Sequence, residues 1–141
     1  MFQVGLIGKN LSHSFSKSYF EQKFAKESIY NVSYSNFQLN EINELEYLIQ
    51  TNDKIVGFNV TIPYKELIIP FLSKKSIEVT KIGAVNTVLV ERFGNKIELA
   101  GYNTDYIGFE KTLEKVHRKK ILNSKALIFG TGGASKAVAY T

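Results

Sequence analysis

Short apolar runs alternate with stretches of helical spacing along this chain, and that alternation leaves few folds open. "FQVGLIG" (2–8) is apolar and closed by glycine, as a buried strand is. "SKSYFEQKFAKES" follows, with Tyr19, Phe20 and Phe24 at helical spacing and a serine at its start as cap. "YNVSYSNFQL" alternates in the manner of a strand, and "NEINELEYLIQ" repeats apolar residues at 42, 45, 48 and 49 behind an Asn40 cap. "KIVGFNV" is the next strand; Pro63 then forbids a continuing ladder and suits a helix start. "AVNTVLVER" and "KIELAGY" read as a hairpin about an "FGNK" turn. "TDYIGFEKTLEKV" is helical, with Ile107, Leu113 and Val116 near one face and Thr104 as cap. "NSKALIFG" predicts a turn and a short buried strand, and "GGASKAVAYT" the opening of a helix. The order predicts an α/β fold: a mostly parallel mixed sheet flanked by helices, with one antiparallel member from the hairpin.

A length of 141 residues suits one domain with a proper core and is short for two. With no cysteine, a disulfide scaffold and thiolate metal sites are excluded, which fits a reducing compartment. No metal site is suggested. The longest apolar runs are far too short to span a bilayer, and "MFQVGLIGKN" lacks the marks of a signal peptide. The expectation is a cytoplasmic protein without a membrane partner. A net charge of +5 raises the question of nucleic acid. The lysines are scattered except in "HRKK" (117–120), and Arg92 and Arg118 are the only arginines, so a solvated lysine surface is the better reading.

Polar residues gather at the ends of these elements. "NVTIPYKE" (59–66) ends a strand with Asn59 and Thr61, two apart and so facing the same way. Lys65 then projects from the first helical turn, where the macrodipole disfavours an ammonium and so suits a group that hands over a proton. Taken alone, Lys65 reads as an exposed surface lysine; its neighbours weigh against that. "GKNLSHSFSKS" alternates Ser12, Ser14 and Ser16, which would face one ligand group if the segment is extended, although taken alone the stretch reads better as a helix cap and a polar loop. His13 falls between them and points elsewhere on that reading; neither it nor His117 is given a role. Asn86 and Thr87 interrupt an apolar strand, and Asp105 opens a helix, where the dipole favours a carboxylate in any case.

"ALIFGTGGAS" sets Gly130, Gly132, Gly133, Ala134 and Ser135 between a strand and a helix. Such a loop lets the backbone approach a pyrophosphate at a helix start, though a plain tight turn accounts for it as well. Ser135 stands where a third small residue, Gly or Ala, is usual.

Together, "SHSFSKS", "NVTIPYKE", "IGAVNTV", "GYNTDYIG" and "GTGGAS", in this order at strand ends, resemble the shikimate dehydrogenases from about Leu6 to Ser135. The resemblance implies NADPH-dependent, reversible reduction of 3-dehydroshikimate to shikimate in aromatic amino-acid biosynthesis. It implies Ser14 and Ser16 on the substrate carboxylate, Asn59, Thr61, Asn86 and Asp105 on its ring hydroxyls, and Lys65 as acid/base beside Asp105. Gly130 to Ser135 would cradle NADP. Phe15 and Lys17, which replace a leucine and a proline of the family's serine run, and Tyr102 and Tyr106 beside "NTD" depart from the usual motifs and bear on fine substrate preference.

By the same resemblance, residues 1–103 form a substrate-binding domain, 104–120 a connecting helix and 121–141 the start of a truncated Rossmann domain. Family members run to roughly twice this length, more than the ~100–200 residues of one domain. The expectation is a fragment that binds substrate weakly and does not turn over, with uncovered surfaces that allow a homodimer. An NAD-preferring quinate/shikimate dehydrogenase and a non-catalytic regulatory module with the same pocket are the alternatives; the presence of both Lys65 and Asp105 ranks the second lower.

Overall fold

The computed structural model describes residues 1–115 and 124–141 of the chain. The basic run 117–120, His117, Val116 and the expected boundary near residue 120 lie outside the described residues.

Six strands form one mixed sheet. In chain order they are β1 (Phe2–Gly8), β2 (Val32–Gln38), β3 (Ile55–Val60), β4 (Lys74–Lys75), β5 (Thr87–Phe93) and β6 (Lys96–Tyr102). Across the sheet they run β2-β1-β3-β5-β6-β4. β1 is parallel to β2 and β3, and β4 to β6, whereas β5 is antiparallel to both neighbours. The single antiparallel strand is the one the hairpin demands. Helices α1 (Ser16–Lys26), α2 (Glu44–Thr51), α3 (Tyr64–Leu67), α4 (Ile77–Ile82), α5 (Asp105–Glu114) and α6 (Gly133–Tyr140) make the connections, with a 3-10 turn at Ile69–Phe71.

The alternation of side chains along the strands divides the core between the two faces. Ile7, Phe58, Val60, Val88, Val90 and Leu99 are buried with Leu45 and Ile49 of α2 and with Tyr64, Ile68, Val79 and Val85. Leu6 and Tyr34 join Leu11 in a smaller cluster covered by Phe20 and Phe24 of α1. A third cluster docks α6: Ala137 is buried against Ile82 and Ala84. Tyr140 meets Tyr106 of α5 edge to face, with ring centroids 5.3 Å apart. Arg92 of β5 donates to the carbonyls of Ile49 and Asn52, each at 2.9 Å, and so satisfies acceptors at the end of α2.

Several local expectations are corrected. Residues 124–130 form no strand, and Leu127 and Phe129 stand exposed. A strand exists only where its N–H and C=O groups find a ladder, and none of the six strands pairs with this run. Among the described residues, only the helical half of the expected βα unit is formed. Asn40 does not cap α2; its N–H and that of Glu41 donate instead to the carboxylate of Glu44, in a turn ahead of the helix. Neither Ser16 nor Thr104 caps its helix with its side chain. Helix α4 was not anticipated, although Ser76 accepts from the Val79 N–H at its start and Gly83, at φ 72°, closes it in the left-handed conformation.

Candidate active site

The carboxyl end of β3 carries the first group of polar residues. Phe58 and Val60 point into the core, which turns Asn59 to the opposite face, in register with Leu6 and Thr87. Thr61 extends the ladder by donating its N–H to the Ile7 carbonyl at 2.9 Å, and its own carbonyl receives the N–H of Tyr64. The buried Tyr64 anchors α3 through a bond from its hydroxyl to the Leu39 carbonyl at 2.8 Å. Lys65 follows at once, its carbonyl accepting the Val85 N–H at 2.7 Å. Both ends of the lysine are thus constrained: the backbone by the segment before β5, the ammonium by Asp105 Oδ2 at 2.6 Å.

Asn86 joins the start of β5 to the start of α5. Its Nδ2 donates to Thr104 Oγ1 and to Asp105 Oδ1, both at 2.8 Å, and its Oδ1 accepts the Thr104 N–H at 2.8 Å. Both amide hydrogens are engaged within the protein. Asn103 supports the same corner, accepting the Asp105 N–H and donating to the Ala84 carbonyl, each at 3.0 Å. Asp105 therefore sits at a helix N-terminus with one oxygen on an ammonium and the other on an amide.

Ser14 and Ser16 complete the ring of side chains. Together with Asn59, Thr61, Lys65, Asn86 and Asp105 they line one polar cavity of about 460 Å³. Ser12 does not line it; its hydroxyl bonds to Asn10 Oδ1 at 2.8 Å. His13, which was given no role, does line it. The expected alternation requires an extended segment, but the Ser14 N–H donates to the Leu11 carbonyl at 3.0 Å and folds the chain into a turn, so facing no longer alternates. Among the described residues there is no group of three or more His, Cys, Asp or Glu side chains able to hold a metal, and no helix long and apolar enough to cross a membrane.

A second hollow, of about 610 Å³, lies beside the first. Gly132, Gly133, Ala134, Ser135 and Phe129 border it on one side, and Thr61, Pro63, Lys65 and Glu66 on the other. Gly130 turns the chain into the loop at φ 116°, a conformation open to glycine. Gly133 matters for a different reason: a Cβ built there would stand 2.9 Å from Lys65 Cβ and 3.0 Å from Ala84 Cβ. An ion pair between Lys136 and Glu66 holds the loop side to α3. Thr61 and Lys65 belong to the walls of both hollows.

Residues 6–88 match the family model of the shikimate dehydrogenase substrate binding domain. The chain is 43% identical over 142 residues to a shikimate dehydrogenase (NADP(+)) of Clostridium botulinum, covering 99% of this chain and 52% of that protein. Among solved structures it resembles shikimate dehydrogenase 1 of Peptoclostridium difficile, with 39% identity and a TM-score of 0.79 over 99% of this chain and 50% of that one. It also resembles the Thermus thermophilus shikimate 5-dehydrogenase in complex with NADP(H) and shikimate, at 32% identity and a TM-score of 0.80, over 99% and 51% of the two chains. The chain spans about half the length of the curated relatives it matches.

Proposed function

Because the chain belongs to the shikimate dehydrogenase substrate binding domain family, we propose that it supplies the substrate-binding half, and the first part of the cofactor-binding half, of an NADP-dependent shikimate dehydrogenase. The reaction is the reversible reduction of 3-dehydroshikimate to shikimate. Residues 1–103 form the substrate-binding domain, 104–120 connect and carry Asp105 into its cavity, and 121–141 begin the cofactor domain.

The observation that carries this reading is the convergence of Lys65 and Asp105, 2.6 Å apart, in a cavity whose other polar lining includes the hydroxyls of Ser14, Ser16 and Thr61 and the amides of Asn59 and Asn86. A ring with several hydroxyls needs neutral donors and acceptors, since each unmatched buried partner costs about 1–3 kcal/mol. Ser14 and Ser16 bind the carboxylate. Asn59, Thr61 and Asp105 meet the ring hydroxyls, and Asn86 serves them by fixing the Asp105 carboxylate it is bonded to. Lys65 gives its proton to the carbonyl oxygen as negative charge develops there, and takes it back in the reverse direction. Asp105 keeps the ammonium aimed.

The second hollow fits a dinucleotide phosphate: its loop presents glycines without Cβ atoms at the start of α6, and a side chain at Gly133 would collide with Lys65. Gly130, Gly132, Gly133, Ala134 and Ser135 would hold the group there. NADP, when bound in its reduced form, supplies the hydride.

Titration of the chain with shikimate, followed by backbone amide NMR, tests the reading. Expected are saturable shifts at Ser14, Ser16, Asn59, Thr61 and Asp105. No binding at millimolar shikimate, or shifts confined to other surfaces, overturns it.

A further inference from the structure

Tyr34 lies on β2, away from the elements that carry the acid–base pair. Its side chain is buried, only 4% exposed, and its ring stacks on Phe20 with centroids 4.6 Å apart and planes 8° from parallel. An aromatic residue so placed satisfies a core without a hydroxyl. The hydroxyl is nonetheless used: it donates to Asn59 Oδ1 at 3.1 Å.

An asparagine beside an open polar cavity has two orientations, differing in which edge offers a donor and which an acceptor. The nitrogen side of Asn59 is held by two long contacts to acceptors. Nδ2 reaches the Asn86 carbonyl and Thr87 Oγ1 at 3.4 Å each, at the long limit of a hydrogen bond. The carbonyl cannot donate and also accepts the Val60 N–H at 2.8 Å, while the Thr87 hydroxyl gives its hydrogen to Asn86 Oδ1 at 3.0 Å. The phenol holds the other edge by the shorter contact, and its stack on Phe20 fixes the ring from which that hydroxyl reaches.

We propose that Tyr34 is a positioning residue: by holding Asn59 Oδ1 from β2, opposite the acceptors on its nitrogen, it sets how the amide presents to a substrate ring hydroxyl. The inference deepens the proposed function and rests on it. It makes the β2 phenol a determinant of which hydroxyl pattern the pocket accepts, through a residue that touches the ligand.

The test is calorimetric titration of the chain with shikimate for wild type, Tyr34→Phe, Asn59→Ala and the double variant. Phenylalanine keeps the stack on Phe20, so the fold is retained, checked by coincident thermal melts. Tyr34→Phe is expected to raise Kd about threefold to tenfold, the loss of one net hydrogen bond. In the Asn59→Ala background the same change is expected to leave Kd within about twofold, because the group it positions is gone. The Asn59 side-chain amide signals should also shift in ligand-free Tyr34→Phe. Equal affinity of wild type and Tyr34→Phe overturns the inference alone. So does the same loss in both backgrounds, which marks a packing role. A wild-type chain that fails to bind shikimate overturns the proposed function and this inference with it.

Discussion

Lys65 Nζ stands 2.6 Å from Asp105 Oδ2, a pairing between the first turn of α3 and the first turn of α5. The two partners are not equally dependent on it. The lysine side chain is 16% exposed, the aspartate 32%, and the aspartate keeps the Asn86 amide and the helix dipole if the lysine is lost. Asp105→Ala should therefore cost about 1–3 kcal/mol of stability, by stranding a partly buried ammonium, while Lys65→Met should stay within about 1 kcal/mol of wild type. Urea unfolding of the two variants measures the asymmetry. Equal losses would mean that Lys65 stabilises the fold as much as it serves the cavity.

Asn86 is the least replaceable polar residue of the corner. Asn86→Asp removes the donor to Asp105 Oδ1 and sets a second carboxylate in its place. We expect destabilisation of about 2 kcal/mol or more. Thermal melts of Asn86→Asp beside Asn86→Ala give the comparison; an alanine variant that loses as much would assign the cost to the missing amide rather than to like charge.

Gly133→Ala places a methyl 2.9 Å from Lys65 Cβ. Either α6 shifts away or the lysine stem does. Shikimate affinity should fall severalfold although the substituted residue lies in the neighbouring hollow, and the Lys65 amide should be among the most shifted NMR signals. An unchanged affinity with unshifted Lys65 would show that α6 gives way instead.

Glu98 supports a different part of the molecule. Hydrogen bonds from Lys96, then Lys74, depress its pKa from the ordinary 4.5 to about 2. It stands opposite Glu91 on the β5–β6 ladder, and Lys74 bridges the two like charges at 3.2 and 2.9 Å. A depressed carboxyl stabilises the fold fully above its unfolded value and ceases to do so as pH falls through the folded one. The stability difference between wild type and Glu98→Gln should thus be constant above about pH 4.5 and close between there and about pH 2. Melting curves across that window test it; a difference that persists at pH 2 would point to packing.

The order of strands and helices was legible because periodicity is local. Helix α4 was not, since six residues give barely one apolar turn, although Ser76 and Gly83 are its cap signals. The missing strand at 124–130 shows the opposite failure: "ALIF" has the composition of a strand, but pairing depends on partners elsewhere in the fold. The site divides similarly. Lys65 and Asp105 are 40 residues apart, and no spacing rule joins them; the order of the motifs did. His13 was missed because an extended segment was assumed where the chain turns. Tyr34 carries no signal at all in sequence, reading as one more aromatic on an alternating strand.

The two hollows share Thr61 and Lys65 as a common wall. A guest on either side then alters the surroundings of the other, and free energy has no preferred direction of travel between them. Whatever factor occupancy of the glycine-loop side applies to shikimate affinity, shikimate must apply in return, so titrations run in opposite sequence have to close the same thermodynamic square.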